Sequence, residues 1–377
     1  MQDLLLRWPN KMCSNVIVYC SHSAAYTSSP LNEHYIYRKS HFPREQHYYI
    51  AINTCKEEKR FKSNEKFRIF ECKGNDKKLF EALENIIDAH TPSSNIIIHN
   101  HDPKATKKIA HFIKKRHHNI PLVYTIHNSY NKFSARKKCL TNLSILHSSK
   151  SVFCGRAAYE AYPYRHLFKQ KTTFIPNGVD IDRIDSTLNR REGTSKPNDY
   201  RIKVATIAKN NGQKNLPHLL KLASELPKEM HLSVIGPLSD EDKNKIESLD
   251  TKNVRHVGVL ERDEALLALS QNDIFASSSF YEGLPVAVLE AMAIGLPVVL
   301  SRIPPHLELS SKGDGPIVAE CDLSLWKQKI RELNELKQQK NNGLQELGQL
   351  NRKLVEEHFS LAAMHKAYSS VYKELLY

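Results

Sequence analysis

The 377-residue chain has no run of about 18 consecutive apolar residues, so no segment is expected to cross a bilayer as a helix. Its seven cysteines are odd in number and include no CxxC pair, which argues against a disulfide framework and a structural zinc site. Glycine and proline are sparse, at 13 and 17 residues, which excludes a collagen-like or largely disordered chain. The apolar run Leu4 to Leu6 is cut short by Arg7, Trp8 and Pro9. It falls short of the ~7–15-residue apolar core of a secretory signal. A reducing cytoplasm is therefore the expected compartment.

What is present suits an ordinary globular protein: 40% of residues are hydrophobic and 25% charged. The length is too great for one core and fits two domains. The net charge of +14 is unevenly placed. Residues 1–175 hold 29 Lys and Arg against 13 Asp and Glu, whereas residues 176–377 hold 26 against 28. A basic half beside a near-neutral half predicts that the first half meets something anionic. Nucleic acid, an anionic membrane and a phosphorylated acceptor all satisfy that charge.

Short runs rich in Ile, Val, Phe and Tyr alternate with helical stretches. In the first half the expected strands are Asn15–Tyr19, Tyr48–Ile52, Phe67–Phe70, Ile96–His99, Leu122–Ile126, Ser151–Phe153 and Thr173–Ile175. Expected helices include Lys77–Ala89 and Thr106–Arg116. Asp180 to Asp199 reads as a linker, with mixed charge and little apolar content. A second alternation follows, with strands at Ile202–Ile207, His231–Ile235, Val254–Val257, Ile274–Ala276, Val298–Leu300 and Pro316–Val318. Its expected helices are Leu216–Glu225, Asp263–Leu269 and Ala287–Ile294. Residues 324–377 are helical in pattern. The fold class is α/β, with two parallel sheets in series.

Residues 277–301 read SSSFYEGLPVAVLEAMAIGLPVVLS. Glu282, Gly283, Leu284 and Pro285 form a loop entering a helix, and Pro285 suits its first turn. Gly283 lets the backbone approach a ligand closely. The free N–H groups and dipole at the helix start favour a phosphate. Glu282 lies outside the helix and Glu290 inside it. Two carboxylates flanking a phosphate site suit the order sugar, phosphates, ribose.

This segment resembles the signature of the GT-B retaining glycosyltransferases of family 4. IPNGVD at 175–180 resembles the family's domain junction. VATIAKNNGQKNLPHLLKLA at 204–223 and LSVIGPL at 232–238 resemble the first elements of its donor domain. The resemblance implies two Rossmann-like domains facing a cleft. Residues 1–180 would form the acceptor-side domain, 181–200 a linker, 201–355 the nucleotide-sugar domain, and 356–377 a C-terminal helix returning to the first domain.

It also implies roles. Glu290 would hold ribose hydroxyls and Glu282 the donor sugar. Tyr281, Gly283, Leu284 and Pro285 would lie along the donor, with Gly212 and Gly236 near it. Lys214 matches the family's phosphate-binding lysine, and Lys209 stands where the family usually has arginine. Thr125-Ile126-His127 resembles a strand-end motif whose histidine approaches the sugar. The implied catalytic set is therefore His127, Glu282, Lys209 and Lys214, with no cofactor and no metal. A helix start and two lysines would stabilise the leaving nucleoside diphosphate in place of a metal.

Ser21 and Ser23 follow the first strand in CSHSAAYTSSP, a stretch without the glycines common in the family at that place. Together with His99 and His101 they are the acceptor-side candidates. His99, His101 and Asp102 also allow a metal site and a hydrolase. Asp180-Ile181-Asp182 mimics a metal-binding D-x-D, but its place in the junction motif makes it structural.

The basic stretch KKIAHFIKKRHH at 107–118 is either the solvated face of a helix or a surface for anionic lipid. No nucleic-acid motif accompanies it. The resemblance implies transfer from a nucleotide sugar, a UDP-sugar by preference, to a glycan or lipid-linked acceptor in surface-polysaccharide synthesis such as lipopolysaccharide. A peripheral place on the inner face of the membrane follows. An epimerase of the same fold and a non-catalytic glycan-binding scaffold are the alternatives.

Overall fold

The computed structural model describes residues 15–22, 30–53, 68–91, 94–116, 119–190, 201–209, 212–249, 252–339 and 342–377. The chain divides into two units. Unit 1 takes in the chain up to Cys154, then Tyr159–Ile175 and His365–Tyr377, while unit 2 takes in Gly155–Ala158 and Pro176–Met364.

Unit 1 holds a seven-stranded sheet of β1 (Val16–Ser21), β2 (Gln46–Ala51), β3 (Arg68–Glu71), β4 (Ile96–Asn100), β5 (Leu122–Ile126), β6 (Lys150–Phe153) and β7 (Thr172–Phe174). The spatial order is β3-β2-β1-β4-β5-β6-β7. Every pairing in it is parallel. Side chains alternate across a strand, so β1 buries both faces differently. Val16, Val18 and Cys20 join Leu79, Leu83, Ile86 and Ile109 in an aliphatic core. Tyr19 points the other way, with its ring 5.2 Å from that of Tyr35 and 5.6 Å from that of His99.

Unit 2 holds a six-stranded parallel sheet of β8 (Ile202–Ile207), β9 (Met230–Ile235), β10 (Val254–Gly258), β11 (Ile274–Ser277), β12 (Val298–Ser301) and β13 (Ile317–Ala319). Its order is β10-β9-β8-β11-β12-β13. Val204, Leu232 and Val234 pack with Leu219, Leu220, Ala223, Trp326 and Ile330. In both units the order reverses beside the first strand, so each has the switch point at which open parallel sheets bind ligands.

The expected linker is a correction. Residues Ile181–Asn189 form a helix, capped by Asp180, which accepts from Arg183 N at 3.1 Å. Ile181, Ile184 and Leu188 carry a short helical period beneath the polar residues. Arg183 pairs with Asp263 and Asp185 with Arg352, so charges read as linker-like attach this helix to unit 2. Asp180 is thus a helix cap. Residues 191–200 of the expected linker lie outside the described residues. The C-terminal boundary also differs, because the last helix, Leu361–Leu376, divides between the units at His365.

That last helix completes the polar side of the first core. Tyr372 Oη lies 2.6 Å from His99 Nδ1, and Tyr368 Oη lies 3.0 Å from Thr125 Oγ1. His34 and His365 meet edge to face with centroids 4.2 Å apart. Burial holds His34, His99 and His365 well below the ordinary imidazole range, and holds His47 at about 3. The unfolded chain takes up protons below about pH 6.5 that the folded one excludes, so stability falls as pH drops from there toward 3. Each such histidine costs about 1.4 kcal/mol per pH unit in that window. Urea midpoints should therefore fall steeply from pH 7 to pH 5, and His47→Gln should make the fall shallower. A midpoint constant over that range would refute the neutral-histidine core.

Candidate functional site

The site in unit 2 grows from the turn after β8 and the loop after β11. β8 ends at Ile207, and exposed Lys209 follows with no hydrogen-bond or ion-pair partner among the described residues. A short 3-10 turn, Gly212–Lys214, then leads to the helix Leu216–Glu225. An added Cβ on Gly212 would meet nothing within 4 Å, so open space lies beside that turn. Gly236, at the end of β9, has φ +112, and a Cβ there would lie 2.5 Å from Ala208 O. Only glycine fits that crossing of strand ends.

Glu282 is buried at 6% exposure. Lys214 Nζ donates to its Oε1 at 2.8 Å, Ser279 Oγ to the same oxygen at 2.8 Å, and Gln213 Nε2 to Oε2 at 2.9 Å. The backbone repeats the joint, because Phe280 N donates to Gln213 O at 2.9 Å and Ser278 Oγ to Asn215 O at 2.9 Å. Beneath it, Ser301 Oγ donates to Ser279 O at 2.7 Å. His306 Nδ1 lies 2.7 Å from Ser301 O, and burial lowers its pKa to about 4. An unshielded buried carboxylate costs several kcal/mol, which these donors offset.

Tyr281 is half-buried, while Gly283, Leu284 and Pro285 are buried. Asn177 Nδ2 donates to Leu284 O at 3.0 Å, which ties the junction motif to the loop. Pro285 precedes the helix Val286–Ala293, whose start has no side-chain cap. Glu290, in that helix, is buried at 5% exposure and pairs with Arg262. Glu282 and Glu290 are thus two buried carboxylates, each matched to a cation.

Reading the sequence missed Arg262, Gln213 and Ser279. Arg262 comes from the start of the helix Arg262–Ser270, 28 residues before Glu290, and no spacing rule joins them. Gln213 and Ser279 border the motif residues, so adjacency was the available signal.

In unit 1, His127 follows β5 and is half-buried, with Nε2 3.0 Å from His101 Nδ1. Burial lowers the pKa of His127 to about 4 and that of His101 further. Both rings are neutral at ordinary pH. His99 is a correction: it has no exposure, and its two nitrogens are used by Tyr372 and Thr125. A core side chain of that kind contacts no acceptor. Nor do His99, His101 and Asp102 converge as metal ligands, because Asp102 instead faces His22 at 3.3 Å and caps Lys104 N at 2.8 Å. Ser21 is buried at the end of β1, and Ser23 lies outside the described residues.

Residues 188–349 match the family Glycosyl transferases group 1, and residues 60–183 match Glycosyltransferase Family 4. The chain belongs to this family. It is 25% identical over 239 residues to the Escherichia coli UDP-Gal:alpha-D-GlcNAc-diphosphoundecaprenol alpha-1,3-galactosyltransferase, a match covering 55% of this chain and 58% of that protein. It is 29% identical over 150 residues to the Xanthomonas oryzae pv. oryzae GDP-mannose:cellobiosyl-diphosphopolyprenol alpha-mannosyltransferase, covering 38% of each. The matches therefore span less than two thirds of these relatives.

Among solved structures, Anabaena Alr3699/HepE in complex with UDP-glucose superposes with a TM-score of 0.72 at 17% identity, covering 95% of this chain and 99% of that one. Sucrose-phosphate synthase from Thermosynechococcus elongatus gives 0.71 at 15% identity, covering 96% and 99%. At these identities the likeness establishes the fold, which is the two-domain GT-B α/β architecture.

Lys214→Met leaves a buried carboxylate without its cation and should cost about 3 kcal/mol of stability. The double variant Lys214→Met/Glu282→Gln removes both charges and should recover at least half of that loss in urea unfolding. A double variant no more stable than the single one would mean that charge is not what the pair balances.

Proposed function

We propose that the protein transfers a sugar from a nucleoside-diphosphate sugar to a hydroxyl of a lipid-linked glycan, retaining the anomeric configuration and needing no metal. The observation that carries this reading is the pair of buried, cation-matched carboxylates on the family's own motif. The family match and the relatives that act on diphosphopolyprenol-linked sugars support the reaction class and the acceptor. UDP is the preferred donor base, supported by the HepE complex and the Escherichia coli relative.

In the proposed reaction the bond between the sugar's C1 and the diphosphate oxygen breaks. The acceptor oxygen bonds to C1 on the same face, and its proton passes to the departing phosphate. Charge grows on that diphosphate. Lys209 and Lys214 are the cations proposed to stabilise it, with the uncapped helix start at Val286. Glu290, oriented by Arg262, is proposed to accept hydrogen bonds from the ribose. Glu282, held by Lys214, Gln213 and Ser279, would do so from the sugar, so its contribution is positional. His127 is proposed, on the Thr125-Ile126-His127 motif, as a neutral hydrogen-bonding partner for the sugar.

A charged hydrogen bond of this kind contributes about 1.5–3 kcal/mol, or roughly 10- to 100-fold. Glu290→Ala should raise the KM for the donor by about that factor and change kcat little. Glu282→Ala should lower kcat by the same order with a smaller change in KM. Nucleotide release from a panel of UDP-, GDP- and ADP-sugars, with and without EDTA, reads both. Loss of release in EDTA would overturn metal independence. Interconversion of sugars without acceptor would instead mark an epimerase.

A further inference from the structure

The short helix Pro304–Ser310 carries a third buried carboxylate of unit 2, Glu308, exposed at 9%. Glu282 and Glu290 each have a cation beside them, but Glu308 has no ion-pair partner among the described residues. Two backbone groups answer it instead. Its Oε1 accepts from Arg156 N at 2.9 Å and its Oε2 from Ala157 N at 2.8 Å. Both donors belong to the segment Gly155–Ala158 of unit 2.

Gly155, buried, lies between Glu308 and the loop Glu282–Pro285. A Cβ added to it would lie 3.1 Å from Glu308 Oε2 and 3.3 Å from Leu284 Cβ, so little room separates the three residues. Leu284 is itself buried, and its carbonyl accepts from Asn177 Nδ2. The same short helix also supports the other end of the loop, because His306 lies against Ser301 O and Ser301 Oγ donates to Ser279 O. The residue type at 308 follows from its two partners. A carboxylate accepts two successive N–H groups and so fixes both the place and the direction of the segment. An amide would accept one and turn its own donors toward the other. An apolar side chain would leave both N–H groups unpaired. Burying this charge without a cation is costly, and the two bonds offset that cost.

We propose that Glu308 is a positioning residue for the sugar-nucleotide site. By holding Gly155–Ala158 it sets Leu284, and with it the backbone N–H groups of Gly283 and Leu284, against the donor's diphosphate. Glu282 is the proposed sugar contact, so the phosphate beside this loop is the one nearer the sugar. The place of that phosphate rests on the function proposed above. The hold of Glu308 on the loop does not, and the two are measured separately.

Hydrogen exchange of the ligand-free protein reads the hold. Across Phe280–Leu289, where Val288 and Leu289 donate to Pro285 O, Glu308→Gln should speed exchange by about fivefold or more. Gly155→Ala presses on the same contact from the other side and should do likewise, which covers a failure of Glu308→Gln to fold. Ile330→Val, a core substitution in the same unit, should leave that segment within about twofold. Calorimetry then reads the phosphate. Glu308→Gln should weaken UDP by about fivefold or more while UMP, which lacks the phosphate nearer the sugar, stays within about twofold. GDP and GMP form a parallel pair, and Ile330→Val should change none of the four. Unchanged exchange in both Glu308→Gln and Gly155→Ala would overturn the hold on the loop. Faster exchange with equal losses for the diphosphate and the monophosphate, or with the same losses in Ile330→Val, would overturn the role toward the diphosphate. No binding of either diphosphate by the wild type would count against the transferase reading, and exchange would still decide whether Glu308 holds the loop.

Discussion

A carboxylate inside a protein must have its charge answered within hydrogen-bonding reach, and Glu282 meets that need by joining two loops. Lys214 and Gln213 come from the turn after β8, and Ser279 and Glu282 come from the loop after β11. β8 and β11 are neighbours at the switch point of the sheet, so a short side chain can span the gap between their ends. The backbone bond from Phe280 to Gln213 closes the same joint. The supporting layer of Ser301 and His306 then fixes the loop from below. Much of the site's geometry follows from this one charge balance.

Unit 1 balances its interior differently. Its second core face holds histidines and tyrosines, and these are kept neutral by burial. Tyr368, Tyr372 and His365 come from the last helix, more than 200 residues after the strands they meet. The hydroxyl partners of His99 and Thr125 therefore exist only once the C-terminal helix is in place. Unpaired, those groups would be costly to bury. The C-terminal residues thus complete a domain made mainly by the start of the chain.

The strands were legible because parallel strands covered on both faces are nearly continuous runs of Ile, Val and Leu, as IIIH and LVYTI are. Their ends shifted by one or two residues, since hydrogen-bond register is not written in composition. Helices with an aliphatic stripe, such as Asp76–His90, were also visible. Pro30–His41, Ala135–His147 and Asp240–Ser248 were not recognised. The last of these buries none of its residues, so it has no apolar stripe to reveal it. The helix at Ile181–Asn189 read as linker because its charges dominated three apolar positions. In the site, Glu282, Glu290 and Lys214 stood out because a local motif holds them. Arg262 did not, because it reaches Glu290 through the tertiary fold. His99 resembled a site residue by standing at a strand end, but the side chain faces the core there, which only the packed helix reveals.

The two kinds of cation in this protein respond differently to an incoming phosphate. Lys214 is already held by Glu282, and an ammonium group carries three donors, so it can serve a phosphate while keeping that carboxylate. The pair begins near neutrality, so it offers an incoming phosphate little net attraction. Geometry then decides the affinity, and the ligand must match the spacing of the lysine and the carboxylate. Lys209, near the same turn, is exposed and has no ion-pair partner among the described residues, so an anion beside it would gain net attraction. Attraction to an exposed cation of that kind responds to charge more than to shape and weakens with salt. The uneven charge first visible in the composition is concentrated in residues 101–150, which carry eleven Lys and Arg against the single acid Asp102, whereas Glu282 and Glu290 in unit 2 each have a cation beside them.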